Sequence, residues 1–258
     1  MTRLRHRLAG PDDAPVVVFS NAIGTSLELW DDQAAALAAH EPAAQFRVLR
    51  YDHRGQGGSE VPPGPYSISL LAADLTALLD ELEIARVSFV GLSLGGAVGM
   101  QFAVANPERL DRLVLACTSA RFGSRESWLE RAALVRRAGI EPMVEPVLAR
   151  WFTPDVPEHE AARYRAMLEA TPVEGYAGCC EALADWDFRA QLGDIQAPTL
   201  VLAGAEDPAT PLEHAEEIAE GVGGRLVVLE GASHLANVEQ PAAFSAAVIE
   251  LLTSEVVA

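Results

Sequence analysis

Ser93 sits in Gly91-Leu92-Ser93-Leu94-Gly95-Gly96, directly after the apolar run 87–90 (VSFV) and before a stretch of helical patterning. G-x-S-x-G at a strand-to-helix junction lifts a hydroxyl onto a sharp turn, where larger flanking residues would collide with backbone. A helix beginning near Leu94 aims its positive end at the serine and leaves the Leu94 amide placed to receive a developing oxyanion. A serine hydroxyl is a weak nucleophile at neutral pH and needs a base. Of the six histidines, His6, His40, His53, His159 and His214 fall in a strand, a helix end, a loop, the helical middle of the chain and a helix. Only His234, in Gly231-Ala232-Ser233-His234-Leu235, lies just beyond the last strand-like run. That is the carboxyl edge of the sheet, where open α/β folds hold their ligands. The acid that orients this base should end the preceding strand, which runs into Gly204-Ala205-Glu206-Asp207-Pro208. Glu206 and Asp207 both qualify by position. Asp207 is favoured because G-x-x-D leads into Thr210-Pro211, a helix start. The run ending at Ala116 is followed by Cys117-Thr118-Ser119, with no carboxylate, which excludes an acid there.

The elements that must hold these groups are readable as an alternation. The runs 15–20 (PVVVFS), 46–51 (FRVLRY), 87–90, 112–116 (RLVLA), 198–203 (PTLVLA) and 225–229 (RLVVL) are short, β-branched and apolar throughout. Strands buried on both faces look like this, which predicts a mostly parallel sheet. Helical stretches lie between them at 69–82, 93–106 and 241–252, giving an α/β fold with helices on both faces. Residues 2–8 are expected to add one further strand. The alternation fails between 120 and 196, where helical pieces rich in arginine are punctuated by Pro142, Pro146, Pro154, Pro157 and Pro172. This segment holds Trp128, Trp151 and Trp186, three of the four tryptophans. The expected organisation is a core of residues 1–119 and 197–258 with a helical cap, 120–196, inserted into it.

Composition sets outer bounds. The formal net charge is −18, and all nineteen basic residues besides histidine are arginines. Such a field repels nucleic acid and anionic membranes, so neither is expected as a partner. An anionic substrate would need local positive charge in its pocket. No apolar stretch approaches the roughly 20 residues of a membrane crossing. Basic residues 3–7 are followed by Gly10-Pro11-Asp12-Asp13 and not by the apolar stretch of an export signal. The three cysteines, Cys117, Cys179 and Cys180, show no metal-ligand spacing and fit a reduced, cytoplasmic protein. The loop Tyr51-Asp52-His53-Arg54-Gly55-Gln56-Gly57-Gly58-Ser59 matches neither a P-loop nor a dinucleotide fingerprint. Asp52 and Arg54 are expected to pair with each other there, with His53 a structural neighbour.

The serine elbow, the D-x-R-G-x-G-x-S loop and the downstream Asp and His together resemble the α/β-hydrolase superfamily. More specific pieces resemble bacterial 3-oxoadipate enol-lactonases. These are Ser20-Asn21-Ala22-Ile23-Gly24-Thr25, Leu29-Trp30-Asp31, Pro63-Gly64-Pro65-Tyr66-Ser67-Ile68, Arg150-Trp151-Phe152-Thr153-Pro154 and Gly175-Tyr176-Ala177-Gly178-Cys179-Cys180. Asp185-Trp186-Asp187-Phe188-Arg189 and the stretch 233–240 (SHLANVEQ) belong with them. The resemblance implies an α/β-hydrolase fold with Ser93 as nucleophile, His234 as base, Asp207 as its partner, and opening of a small enol-lactone without metal or organic cofactor. It also implies a second oxyanion donor in the loop after 15–20. Asn21 and Ala22 replace the first two positions of the usual His-Gly-x, and the Ile23 amide takes the donor position. The substrate implied is a small anionic lactone or ester. Its carboxylate would be met by Arg131 or Arg150, with Trp128 and Trp151 lining the pocket. The family usually has one more strand at the start of the sheet, which this chain is expected to lack. A monomer or small homo-oligomer is expected. Carboxylesterase or C–C hydrolase chemistry would use the same three side chains. A non-catalytic receptor of this fold would usually have lost one of them.

Overall fold

The computed structural model describes residues 2–40 and 46–254. Seven strands form one sheet: β1 (His6–Ala9), β2 (Val16–Ser20), β3 (Arg47–Tyr51), β4 (Val87–Leu92), β5 (Leu110–Ala116), β6 (Thr199–Gly204) and β7 (Arg225–Leu229). Their spatial order is β1-β3-β2-β4-β5-β6-β7. Only β1 runs antiparallel; every other pair is parallel. The continuously apolar runs behave as their composition requires. Every residue of β4 and β6 is buried, because helices cover both faces. At the sheet edge β1 alternates between half-buried and exposed positions. The run expected over 2–8 is thus a short antiparallel edge strand, and no further strand lies outside it among the described residues.

The chain goes from β2 outward to β3 and returns on the other side of β2 as β4, with Ser20 paired to Gly91. The sheet therefore reverses its winding between β2 and β4, and the loops leaving their carboxyl ends open a crevice there. The helix Leu94–Ala105 follows β4, and Ile68–Glu81 precedes it with the Ser67 hydroxyl capping the Leu70 amide at 3.1 Å. Between β5 and β6 stand four helices, Arg125–Ala138, Glu141–Trp151, Glu158–Glu169 and Val173–Ala184. Three of the five prolines of this region mark helix starts: Pro142 lies in the first turn, and Pro157 and Pro172 immediately precede theirs, whereas Pro146 lies inside Glu141–Trp151. Trp186 stacks on Phe188 at 4.9 Å and donates its indole N–H to the Ser119 carbonyl, tying the end of the helical segment to the end of β5.

The expected pairing of Asp52 with Arg54 is not found. The fully buried Asp52 carboxylate accepts from the Leu27 amide at 2.6 Å, the Gly58 amide at 2.8 Å and Arg5 at 3.2 Å. Arg54 forks onto Asp74 of the Ile68–Glu81 helix and lies over the Tyr66 ring. A buried carboxylate is best held by several converging donors, and its own loop supplies one while Arg5, just before β1, and the residues after β2 supply the others.

Candidate active site

Ser93 adopts φ 57° and ψ −114°, a conformation that L residues rarely take. It is held there by its own backbone: its amide donates to the Ala116 carbonyl, and its carbonyl accepts from Gly96, Ala97 and the Thr118 hydroxyl. A β-carbon at Gly91 would run into the Gly95 carbonyl, and one at Gly95 into the Ser20 carbonyl. The glycine spacing thus lets β2, β4 and the following helix meet closely enough to make the turn.

His234 Nε2 lies 2.9 Å from Ser93 Oγ, and His234 Nδ1 lies 2.8 Å from Asp207 Oδ2. All three side chains are buried. The loops that carry acid and base are stitched together, because the Glu206 amide donates to the Ala232 carbonyl at 2.9 Å. Glu206 itself is exposed, and of the two neighbouring carboxylates it is Asp207 that bonds His234. Asp207 Oδ1 accepts from the Ala209 and Thr210 amides at 2.7 and 3.0 Å, and Oδ2 also accepts from the Thr210 hydroxyl at 2.6 Å. Burial alone would raise the Asp207 pKa, but the facing His234 and these donors outweigh it and hold the carboxyl below its ordinary value. It is therefore ionised at neutral pH. A carboxylate, an imidazole and a hydroxyl in this order can move a proton from oxygen to nitrogen while keeping the imidazolium compensated.

Ile23 lies in the loop after β2 and lines the same pocket as Ser93 and His234; Leu94 opens the helix after the serine. Among the described residues neither amide donates to a protein acceptor. The pocket, about 60 Å³ beside the serine, is also lined by Trp128, Arg131, Arg150 and Trp151. A neighbouring cleft of about 400 Å³ shares Trp128, Arg131 and Arg150 with it. The two arginines differ. Arg150 is exposed, whereas Arg131 is half-buried between the Trp128 and Tyr176 rings, 5.1 and 5.2 Å from their centroids. Arg131 donates to the Tyr176 hydroxyl, its Nε has no acceptor, and among the described residues no carboxylate pairs with it.

A family profile for the alpha/beta hydrolase fold matches residues 15–241. The chain belongs to the α/β-hydrolase family. It is 42% identical over 250 residues to 3-oxoadipate enol-lactonase 2 of Acinetobacter baylyi, covering 95% of this chain and 91% of that one. The crystal structure of a hydrolase from Pseudomonas aeruginosa superposes with a TM-score of 0.93 at 47% identity, over 98% of this chain and 95% of that one. That of the enol-lactonase from Burkholderia xenovorans gives 0.93 at 42% identity, over 98% and 97%.

Several polar contacts in this α/β hydrolase were not anticipated from sequence. Gln56, fully buried, accepts from the Gly24 amide at 2.7 Å and reaches Cys179 Sγ at 3.3 Å, so it joins the Ile23 loop to the helix Val173–Ala184. Asn21, which stands where the family usually has histidine, donates to the Tyr51 carbonyl at 2.8 Å and so fixes the loop by another route. His53 lies beneath that loop, bonded to the Ser20 hydroxyl and the Asn21 carbonyl, and burial lowers its pKa to about 4. At neutral pH it is therefore uncharged. Thr210 was visible only as a helix-start residue; its hydroxyl bond to Asp207 has no local sequence signal. No described helix is long and apolar enough to cross a membrane, and no metal-binding cluster exists among the described residues.

Proposed function

We propose that this chain is a serine hydrolase that opens a small anionic enol-lactone, of the 3-oxoadipate enol-lactone class, through an acyl-enzyme. The observation that carries the reading is the hydrogen-bonded series Asp207–His234–Ser93 in a pocket that also presents Arg131, which no carboxylate pairs among the described residues. The names of the enol-lactonases from Acinetobacter baylyi and Burkholderia xenovorans, each 42% identical to this chain, support the substrate class.

Ser93 Oγ bonds to the lactone carbonyl carbon while its proton passes to His234 Nε2. Asp207 holds the imidazole tautomer and compensates the imidazolium. The carbonyl electron pair moves onto oxygen, which the Ile23 and Leu94 amides receive, each lowering the barrier by on the order of 3 kcal/mol. Collapse re-forms the carbonyl and breaks the ring C–O bond. The departing oxygen leaves as an enolate, which takes the proton carried by His234 Nε2 and becomes the ketone, so His234 is neutral again. Water then gives a proton to His234 as it attacks the acyl carbon, and that proton passes to Ser93 Oγ as the product acid is released. The helical segment 120–196 serves as the cap over this site, and Arg131 meets the carboxylate of the substrate from it, with Trp128 and Trp151 as walls and Arg150 at the rim.

Arg131→Ala is expected to raise KM for the anionic lactone by about 10- to 100-fold, the range of a charge-assisted pair, and to spare a neutral ester such as p-nitrophenyl acetate. Arg150→Ala should have a smaller effect. Steady-state kinetics on both substrates check this; equal losses on lactone and ester would remove the carboxylate role. The substrate class itself is tested by turnover of the enol-lactone beside simple esters and carbon–carbon cleavage substrates. A wild-type preference for the ester would make the chain a carboxylesterase on the same three residues.

A further inference from the structure

The loop that bears His234 and the stretch of chain that walls the pocket are joined through one carboxylate outside the Asp207–His234–Ser93 series. Glu239 Oε2 accepts from the Ser233 amide at 2.7 Å, and Oε1 accepts from both the amide and the hydroxyl of Thr153, at 2.8 and 2.6 Å. No arginine pairs with Glu239 among the described residues. Its charge is met by three short neutral donors, two from one segment and one from another.

Two more hydrogen bonds run between the same segments. The Ser233 hydroxyl donates to the Arg150 carbonyl and the Leu235 amide to the Trp151 carbonyl, both at 2.9 Å. Residues 150–153, which include two lining residues of the pocket, are thus sewn to residues 233–235, with His234 in the middle. Glu239 itself stands on the short helix Ala236–Glu239, which is anchored to the core: Asn237 donates to the Leu29 carbonyl at 3.0 Å, and Gln33 donates to the Asn237 carbonyl at 2.9 Å. The carboxylate is a fixed post from which both the base loop and the wall hang.

We infer that Glu239 is a positioning residue that holds His234 in line with Ser93 and keeps the Arg150–Thr153 wall in register with it. The inference rests on the reading of Ser93 and His234 as nucleophile and base, and not on the identity of the lactone. A group that sets the aim of a reacting side chain acts on rate more than on binding, and misplacement by about 1 Å can cost about 100-fold.

The test is the second-order rate at which a fluorophosphonate labels Ser93, read by intact mass on folded protein, beside kcat and KM on lactone and neutral ester. Glu239→Ala is expected to slow labelling by about 10- to 100-fold and to lower kcat on both substrates alike. Glu239→Gln retains one acceptor oxygen, so it should fall between the alanine variant and wild type. Thr153→Val removes only the wall-side hydroxyl and should raise KM while leaving the labelling rate near wild type. Folded Glu239→Ala that labels at the wild-type rate would overturn the inference. Loss of folding in both Glu239 variants would overturn it as well, by making the contact a structural one. If wild type is not labelled, the nucleophile reading fails first and this inference falls with it.

Discussion

Ser93→Ala is expected to lower kcat by about a millionfold on whichever lactone or ester the wild type turns over fastest, the scale seen when the nucleophile of such a unit is removed. The size follows from the lack of a substitute. Thr118 spends its hydroxyl on the Ser93 carbonyl, and Thr210 spends its own on Asp207. Burial pushes the Cys117 thiol well above its ordinary pKa, so it supplies no thiolate. What remains is the pair of amides at Ile23 and Leu94 and the pocket itself, which can hold a substrate but cannot form a bond to it. The variant should fold, since the hydroxyl makes one hydrogen bond, to His234, and the turn is fixed by backbone contacts. Steady-state turnover and fluorophosphonate labelling together check the point. Retention of more than about 1% of wild-type kcat would mean that water, activated directly by His234, attacks the substrate, and the covalent route would be excluded.

What could be read before any coordinates were known was set by local physics. Buried parallel strands leave continuous apolar runs, and a sharp strand-to-helix turn leaves its glycines, so β2 to β7 and the Ser93 elbow were legible from neighbouring residues alone. His234 and Asp207 were legible because both follow strands at the carboxyl edge of the sheet. Contacts between distant segments leave no such trace. Arg54 finds Asp74 twenty residues on, and Asp52 collects donors from Arg5, just before β1, and from the residues after β2; neither partner has a periodic or spacing signal. The same holds for Gln56 with Gly24, and for Glu239 with Thr153 eighty-six residues away. Arg131 and Arg150 look alike in sequence. They part only when packing sandwiches one between Trp128 and Tyr176 and leaves the other in water.

Asp207→Asn should lower kcat by about 10,000-fold although it changes no shape, because the hydrogen bonds around residue 207 dictate which way an amide must turn. Oδ1 receives two backbone N–H groups, from Ala209 and Thr210, and these cannot reverse. The oxygen of asparagine must therefore stay on that side. Its NH2 then faces His234 Nδ1, where the carboxylate now accepts a hydrogen bond. Nδ1 can meet an N–H donor only as the unprotonated nitrogen, so the imidazole carries its proton on Nε2, against Ser93. In that tautomer His234 cannot take the serine proton. The compensating negative charge, which His234 and the local donors keep ionised by holding the Asp207 pKa low, is lost with it. Turnover measured at neutral pH on lactone and ester should fall together, with KM nearly unchanged and the melting temperature near wild type. A variant that stays within tenfold of wild-type kcat would show that Asp207 neither selects the tautomer nor compensates the imidazolium, and the order of proton transfer proposed for this site would have to be abandoned.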